Sequence, residues 1–362
     1  MAAFTGQLNP NEIFAALYNM CISQQVFADN VYDTKSSLVD AARVDGGLYG
    51  DTKLYYATDA LKSTAWGNDA EAENLLVLHR PSAPKCQSIV LNVFRKIALT
   101  VDNYLTKRAW GTEGAFSSFN SVMLGWIRTT KRVYDSTLYN AFIGTAASAI
   151  GKQNKTLTLP TVADDQEAQN RLQAQTIATE MADILVDLAD VSRDYNDYKF
   201  LRSYNPDSLI VVWSSKWANK ITKLDLPTIF HKDGLIDKMG EYTLPSRYFG
   251  DINTSGGTVP DTNTAIRSLY EKDYTVSGTV THVFPGDLLP GKATYSANET
   301  YTENPKTIFK IMHKNSVPYM SAFEAGTSFF NPISLTENHY LVWGHNTLEY
   351  LKNYPMITVK SN

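Results

Sequence analysis

The sequence predicts an α+β protein. Three observations carry that prediction: a long amphipathic helix, a turn-punctuated strand-rich stretch ahead of it, and a strand–serine–helix unit near residue 210. In the first, Phe116, Phe119, Met123, Trp126, Ile127, Val133, Tyr134, Leu138, Ala141 and Phe142 recur at spacings of one, three and four between Glu113 and Ile143. That is the period of a helix with one apolar stripe. Arg128, Lys131, Arg132 and Asp135 lie between the apolar positions. Gly144 follows the last of them, where a left-handed C-terminal cap favours a residue without a side chain. The helix is expected to run unbroken from near Ala115 to Phe142, roughly 28 residues and about 42 Å. Its Phe119, Met123 and Trp126 face is expected to pack on a sheet.

Ahead of this helix, Asn9-Pro10-Asn11-Glu12 is a helix start, followed by Ile13, Phe14, Leu17, Met20, Cys21 and Ile22 at mixed helical spacing. A polar stretch continues to Arg43, so residues 1–43 read as an arm. From Val44, Gly46-Gly47, Gly50-Asp51, Gly67-Asn68-Asp69 and Pro81-Ser82-Ala83-Pro84 are turn signals. Strand-like runs lie between them at Lys53–Tyr56 and Leu75–Leu78. The stretch from Gln87 to Trp110 is extended, with its best alternation from Ile97 to Val101; part of it is also compatible with helix.

Beyond Gly144, Thr156–Leu159 alternates and ends at Pro160, which reads as a short strand. A second helix starts near Asp164-Asp165, acidic residues that suit a helix N-terminus. Its stripe is Leu172, Ile177, Met181, Ile184, Leu185 and Leu188. Ser208–Trp213 reads as a strand, and Ser214-Ser215 as the cap of a helix holding Trp217, Ala218 and Ile221. Residues 250–305 are rich in Gly, Thr, Asn, Pro and Tyr and read as long loops with short strands at a surface or interface. Strand candidates follow at Tyr340–Trp343 and Met356–Val359.

A chain of 362 residues with 43% hydrophobic and 19% charged residues has the composition of a folded protein with a sizeable core. The net charge of −4 argues against an electrostatically driven nucleic-acid binder. Two cysteines, Cys21 and Cys86, give neither a disulfide framework nor a zinc spacing, which fits a reducing compartment. No apolar run approaches a membrane span, and the start at Met1 has no signal-peptide pattern.

Catalytic motifs are missing. The six histidines are scattered, and no nucleophile elbow, phosphate-binding loop or dinucleotide fingerprint occurs. His339 and His345 flank a strand and are read as ordinary polar positions. Asp183, Asp187, Asp190 and Asp194, at helical spacing, are read as a solvated face opposite Ile184, Leu185 and Leu188. Cys86 is a lone thiol. No catalytic, cofactor-binding or metal-ligating residue is therefore expected. Tyrosines in apparent loops, Tyr242, Tyr248, Tyr270, Tyr274, Tyr295 and Tyr301, are read as interface residues, since a tyrosine ring buries well while its hydroxyl keeps a polar partner.

With these segments in order, the chain resembles the major capsid proteins of tailed bacteriophages, the Hong Kong 97-like fold, and within them those of small short-tailed phages. The order carries the resemblance: an arm, a long hairpin, the long helix, then a mixed α/β part. Asp135-Ser-Thr-Leu-Tyr-Asn-Ala-Phe-Ile-Gly144 is similar to the end of that family's spine helix, and Leu209–Trp213 with Ser214-Ser215 and Trp217-Ala218 to a later strand–turn–helix. The resemblance implies an N-terminal arm at 1–43, an E-loop hairpin with flanking P-domain strands at 44–112, and the spine helix with P-domain at 113–162. An A-domain with long loops at 163–335 and C-terminal strands at 336–362 complete it.

The resemblance also implies a non-enzymatic shell protein of the virion, assembled in the host cytoplasm and requiring no cofactor. Its partners would be copies of itself in hexamers and pentamers, a portal, and double-stranded DNA enclosed without sequence-specific binding, with no membrane. Too little chain precedes Asn9 for a cleaved scaffolding segment, which implies a separate scaffolding protein. Some members crosslink a hairpin lysine; Lys62, Lys85 and Lys96 lie near the expected hairpin, and none is assigned. Two other readings stay open: an encapsulin-type nanocompartment shell, and an α/β enzyme with an unrecognised Asp/His site.

Overall fold

A computed structural model describes residues 38–47, 50–63, 78, 80–102, 113–222 and 240–362, with the side chains of α2 described from Gly125 onward. In chain order the elements are α1 (Leu38–Ala41), β1 (Arg43–Asp45), β2 (Thr52–Ala57), β3 (Lys85–Asp102), α2 (Glu113–Thr145), β4 (Asn154–Leu157), α3 (Gln166–Ala189), β5 (Leu209–Ser214), α4 (Ser215–Thr222) and β6 (Gly240–Leu244). Seven short strands follow: β7 (Gly250–Ile252), β8 (Gly257–Thr258), β9 (Ile266–Ser268), β10 (Lys272–Val276), β11 (Thr279–Val283), β12 (Thr294–Tyr295) and β13 (Thr300–Glu303). The chain ends with β14 (Thr307–His313), β15 (Tyr319–Asn331), β16 (Thr336–Asn346) and β17 (Met356–Ser361). The arm helix expected near residues 10–33 and the run Leu75–Val77 lie outside the described residues.

The chain divides into two compact units. One holds the described residues of Met1–Asp51 with Val90–Tyr139 and Tyr319–Thr347; the other holds Thr52–Ile89, Asn140–Pro318 and Leu348–Asn362. The division falls inside α2, between Tyr139 and Asn140.

The first unit is built on a sheet whose full strand order is β1-β15-β16-β3-β2. β15 and β16 form an antiparallel hairpin from Ser321↔His345 out to Asn331↔Thr336. β16 pairs antiparallel with β3 along nearly its whole length. β1 runs parallel to β15 but covers only Tyr319–Ser321. The expected alternation from Ile97 to Val101 is present, with Ile97, Leu99 and Val101 turned inward and Ala98 and Thr100 outward. As far as Asp102 the extended stretch is thus a strand and not a helix; residues 103–110 lie outside the described residues. β15 was not anticipated: residues 319–331 were given no element within the span 163–335. β2 and the first residues of β3, Lys85–Ile89, belong to the second unit and form the two arms of the expected hairpin.

α2 agrees with the expected helix and differs at its end and on its face. Gly144 is not a left-handed cap; the helix continues to Thr145, whose hydroxyl donates to Ala141 O at 2.8 Å. What forces glycine here is a close approach, because a Cβ on Gly144 would lie 2.0 Å from the Tyr248 carbonyl oxygen. The expected packing of Trp126 is corrected too. Trp126 is 45% exposed, whereas Ile127, Tyr134, Leu138, Tyr139, Ala141 and Ile143 are buried. Phe119 and Met123 lie outside the described side chains.

The second unit holds a sheet of order β4-β17-β14-β5-β6, parallel at its two outer pairs and antiparallel at its centre. β5 is buried at every residue, as a continuous apolar run buried on both faces should be. On one face α3 packs Ile177, Met181, Ile184, Leu185 and Leu188 against Leu209, Val211, Phe309, Ile311, Ile357 and Val359. α3 begins one residue after Asp165, whose carboxylate accepts from Ala168 N at 2.9 Å as an N-cap. Leu172, expected in the stripe, is exposed.

Gly250–Glu303 differs most from expectation. It is folded on itself. β7-β13-β9 form one small sheet, and β10–β11 and β8–β12 form two-stranded pairs. Ser277 and Gly278, both with positive φ, make the two-residue turn between β10 and β11. Tyr274 is buried with Val259, Val283, Leu289 and Ala293; Tyr248 and Tyr301 are buried with Ala141 and Leu269. Three of the six tyrosines read as interface residues therefore lie in the chain's own cores. Tyr295 packs at the edge of one core, and Tyr270 is exposed.

Candidate assembly interface

A surface that awaits a partner should show large apolar side chains that its own chain does not cover, on a backbone held in place. Among the described residues two such segments stand out, one in each unit.

The first is the hairpin of β2 and β3 in the second unit. Leu54, Tyr56, Leu61 and Leu78 are all exposed, Leu61 to 77%. The hairpin is held at the loop end of its strands. The Asp59 carboxylate accepts from Leu201 N at 3.0 Å, from Arg193 Nη1 at 2.7 Å and from Ala60 N at 2.9 Å. The Leu201 N–H and the Arg193 guanidinium hold the Asp59 carboxyl well below the usual carboxylate range, at about 2. Arg202 Nη2 donates to Thr58 O, and the Gln87 side chain bridges Tyr350 O and Lys352 N at 3.0 Å each. Leu54 and Tyr56 are thus exposed on β2 just before the fixed Thr58 and Asp59, and Leu61 and Leu78 are exposed beyond them. Of the lysines considered for crosslinking, Lys62 and Lys85 are exposed in this hairpin, and Lys96 lies further along β3 with its Nζ 5.8 Å from the Tyr340 ring centroid.

The second is the tip of the β15–β16 hairpin in the first unit, where Phe329, Phe330, Ile333 and Leu335 are exposed. The sequence reading missed it. Asn331-Pro332, a turn dipeptide between two strand-length runs, is the signal that identifies it.

Buried polar groups fix the elements that carry these segments. In the first unit Asp135 is 1% exposed. Its carboxylate accepts from Tyr319 OH at 2.7 Å and from Arg43 Nη2 at 3.1 Å, with Lys131 Nζ at 3.6 Å. Lys131 reaches on to Glu324 of β15 at 3.0 Å. Burial, then the Asp135 charge, pushes the Tyr319 hydroxyl pKa up, so that it stays a donor. His345 has both ring nitrogens engaged: Nδ1 with Asn346 O at 2.8 Å and Nε2 with Tyr134 OH at 2.9 Å. Burial lowers its pKa. The neutral tautomer that donates from Nδ1 and accepts at Nε2 matches both contacts.

In the second unit Lys310 is buried. Its Nζ donates to Ile143 O at 2.9 Å and Ala146 O at 2.6 Å, carbonyls at the C-terminal end of α2. A cation suits that end of a helix. Burial, with Lys360 nearby, nevertheless pushes the Lys310 pKa down to about 7.

The residues weighed for chemistry do not come together. His345 spends both nitrogens on structure, and His339 sits near Glu337 at 3.9 Å. Asp183 and Asp187 are exposed on α3, where Asp187 accepts from Tyr195 OH. Asp190 and Asp194 lie past its end, and Asp194 pairs with Lys152. Among the described residues no group of three His, Cys, Asp or Glu side chains is arranged to hold a metal ion. A cleft of about 580 Å³ in the first unit is lined by Ile127, Arg128, Glu324, Ser328, Glu337 and His339 among others. No described helix is long and apolar enough to cross a membrane.

Comparison with known proteins agrees with a surface built for association. The family model described as Phi29-like phage major capsid protein matches residues 3–358. Among solved structures, the chain is similar to the capsid structure of Staphylococcus phage Andhra, with a TM-score of 0.60 at 10% identity over 89% of this chain and 83% of that one. It is similar to a chain in the head-fibre and inner-core structure of native bacteriophage P68, with a TM-score of 0.57 at 10% identity over 87% and 83%. The mature capsid of bacteriophage PhiM1 gives a TM-score of 0.50 at 8% identity over 100% and 92%. At such identities the likeness shows the α+β fold alone. No curated protein sequence matches the chain.

Proposed function

The chain belongs to the Phi29-like phage major capsid protein family, and from that premise we propose how its surfaces build a shell. It is a major capsid protein, a structural component of the virion. Its finer anatomy is read as the Hong Kong 97-like arrangement. In that reading β2 and the start of β3 are the arms of an E-loop, α2 is the spine helix, the β15–β16–β3 sheet belongs to the P-domain, and the α3–β5–β14–β17 body belongs to the A-domain.

The β2–β3 hairpin is the proposed main contact, lying on a neighbouring copy. The observation that carries this is the contrast between the fixed Asp59 at the end of β2 and the uncovered Leu54, Tyr56, Leu61 and Leu78 around it. Burying such side chains removes apolar area from water, which favours association against the freedom that two subunits lose on docking. Repeated over a closed symmetric assembly, many modest contacts give a stable particle.

The shell is proposed to be icosahedral in design, built of hexamers and pentamers, and to enclose double-stranded DNA. The net charge of −4 supports containment without a sequence-specific grip. A separate scaffolding protein, a portal and assembly in the host cytoplasm complete the reading. Negative-stain microscopy of the purified chain tests it: closed shells are expected, and a population of monomers only would refute it. Deleting Leu61–Ala83 is expected to leave a folded subunit that forms no shells; normal shells from that variant would remove the hairpin from the contact.

A further inference from the structure

We propose that Asp59 is a positioning residue for assembly: docked on the 192–202 loop of its own subunit, it fixes the direction in which the chain leaves β2, so that Leu61 is already presented when a neighbouring copy arrives. This rests on the hairpin reading above and adds what sets the hairpin's direction in the free subunit.

The 192–202 loop is built as a receptor. Its ends are joined by a two-way backbone pair, Ser192 N to Arg202 O and Arg202 N to Ser192 O, at 3.0 Å each. Inside it Asn196 is fully buried; its Nδ2 donates to Phe200 O at 2.7 Å and its Oδ1 accepts from Phe200 N at 2.8 Å. Lys199 sits at φ 55°, in the left-handed region that a residue with a side chain occupies only when its surroundings hold it there. Asp197 N donates to Lys352 O at 2.8 Å and ties the loop to the C-terminal segment.

The cations of the loop are held in place as well. Arg193 Nη1 donates to Lys199 O at 2.7 Å, the same nitrogen that reaches Asp59. Arg202 Nε donates to Asn353 Oδ1 at 3.2 Å, while its Nη2 donates to Thr58 O. Donors fixed in this way lose little further freedom when a carboxylate docks on them.

An aspartate at the end of a strand often serves only its own turn. Asp59 does so through Ala60 N, but its other two donors, Arg193 and Leu201 N, lie 134 and 142 positions away in the chain. Both carboxylate oxygens are used, and the bond from Arg193 is charge-assisted. The side chain is only 17% exposed, although Thr58 and Ala60 on either side of it are exposed. Leu61, two residues on, is 77% exposed. A two-stranded ribbon is marginal by itself, and pairing with β3 sets the register of β2 without setting where the chain points after Ala57. The Asp59 contact supplies that direction before association, when ordering it would otherwise count against binding.

The test reads position and assembly separately. Nitroxide labels at Lys62→Cys and Gln175→Cys, both exposed and both in the second unit, are placed in a chain carrying Cys21→Ser and Cys86→Ser. Dipolar spectroscopy on the free subunit is expected to give one narrow distance. Asp59→Ala should broaden that distance, leave the subunit folded by circular dichroism and lower shell yield about fivefold or more. Arg193→Ala, at an exposed position, should broaden it in the same way and serves if Asp59→Ala does not fold. A distance equally broad with and without Asp59, or normal shell yield from a broadened variant, overturns the proposal. In the unlabelled chain, Asp59→Cys with Arg193→Cys should lose shells and regain them when a short bifunctional maleimide joins the two thiols; a joined variant that still forms no shells overturns it. Wild-type chain without shells refutes the shell reading itself, and normal shells after deletion of Leu61–Ala83 refute the hairpin contact, whereas failure of the Asp59 variants alone to change position or yield refutes only the latch.

Discussion

Gly250–Glu303 and the tip of the β15–β16 hairpin look alike as sequence: both are turn-rich, strand-poor in alternation and marked by aromatic residues. They solve the same problem in opposite ways. The first turns Tyr274 and Tyr301 into its own small cores, with Tyr301 OH donating to Arg247 O at 2.8 Å. The second leaves Phe329, Phe330 and Ile333 in solvent. An aromatic residue in a loop does not tell which segment awaits a partner. The distinction lies in whether the chain already covers the ring.

The largest effect should separate the two regions directly. Tyr301→Ala removes a fully buried ring and is expected to cost the isolated subunit about 3–5 kcal/mol. Ile333→Ala, at an exposed tip, should stay within about 0.5 kcal/mol. Urea unfolding of both variants checks this; equal costs would erase the contrast.

The next effect reads the interior of the second unit alone. Lys310 titrates at about 7 in the folded chain against 10.5 for an unperturbed lysine. Between those values the unfolded chain binds the extra proton, so raising the pH favours the folded state. Subunit stability is therefore expected to rise from about pH 7 towards 10.5, by a few kcal/mol at most. Lys310→Met should flatten that rise, and an unchanged slope would show that another group carries it.

The smallest effect concerns the β10–β11 hairpin. His282 lies between Asp273 at 2.6 Å and Glu271 at 2.9 Å. Burial opposes its charge, but the Asp273 hydrogen bond and the Glu271 charge outweigh it, and its pKa is raised. Its contribution is full below the unfolded value near 6.5 and is lost as pH rises through the folded pKa. The side chain is about half exposed, so His282→Gln should shift stability by no more than about 0.5 kcal/mol at pH 6 and less at pH 8. A larger loss at pH 8 than at pH 6 would reverse the assignment.

What the sequence made legible follows from burial. The Tyr134–Ile143 part of α2, the stripe of α3 and the continuous run of β5 are one-sided or fully buried, and burial imposes a period. Ala325-Gly326-Thr327-Ser328 of β15 shows no alternation; only Ala325 is partly buried there, and the next three residues are exposed. Periodicity also gave no sign of where cover along α2 stops, which is why Trp126 was misplaced. Gly144 was identified as special for a plausible but different reason: the constraint is the Tyr248 backbone passing beside it, and no local pattern reveals a neighbour 104 residues away. The tyrosines of 250–305 were ambiguous in principle, since a subunit's own core and an interface both bury the ring and satisfy the hydroxyl.

Hydrogen exchange, measured on free subunits and on assembled particles, tests the central claim most directly. The account expects residues 257–301 to be protected already in the free subunit and to gain little on assembly. Residues 52–63, 80–90 and 326–336 should gain protection only in particles. Protection gained across 257–301, with none at the two hairpins, would contradict it.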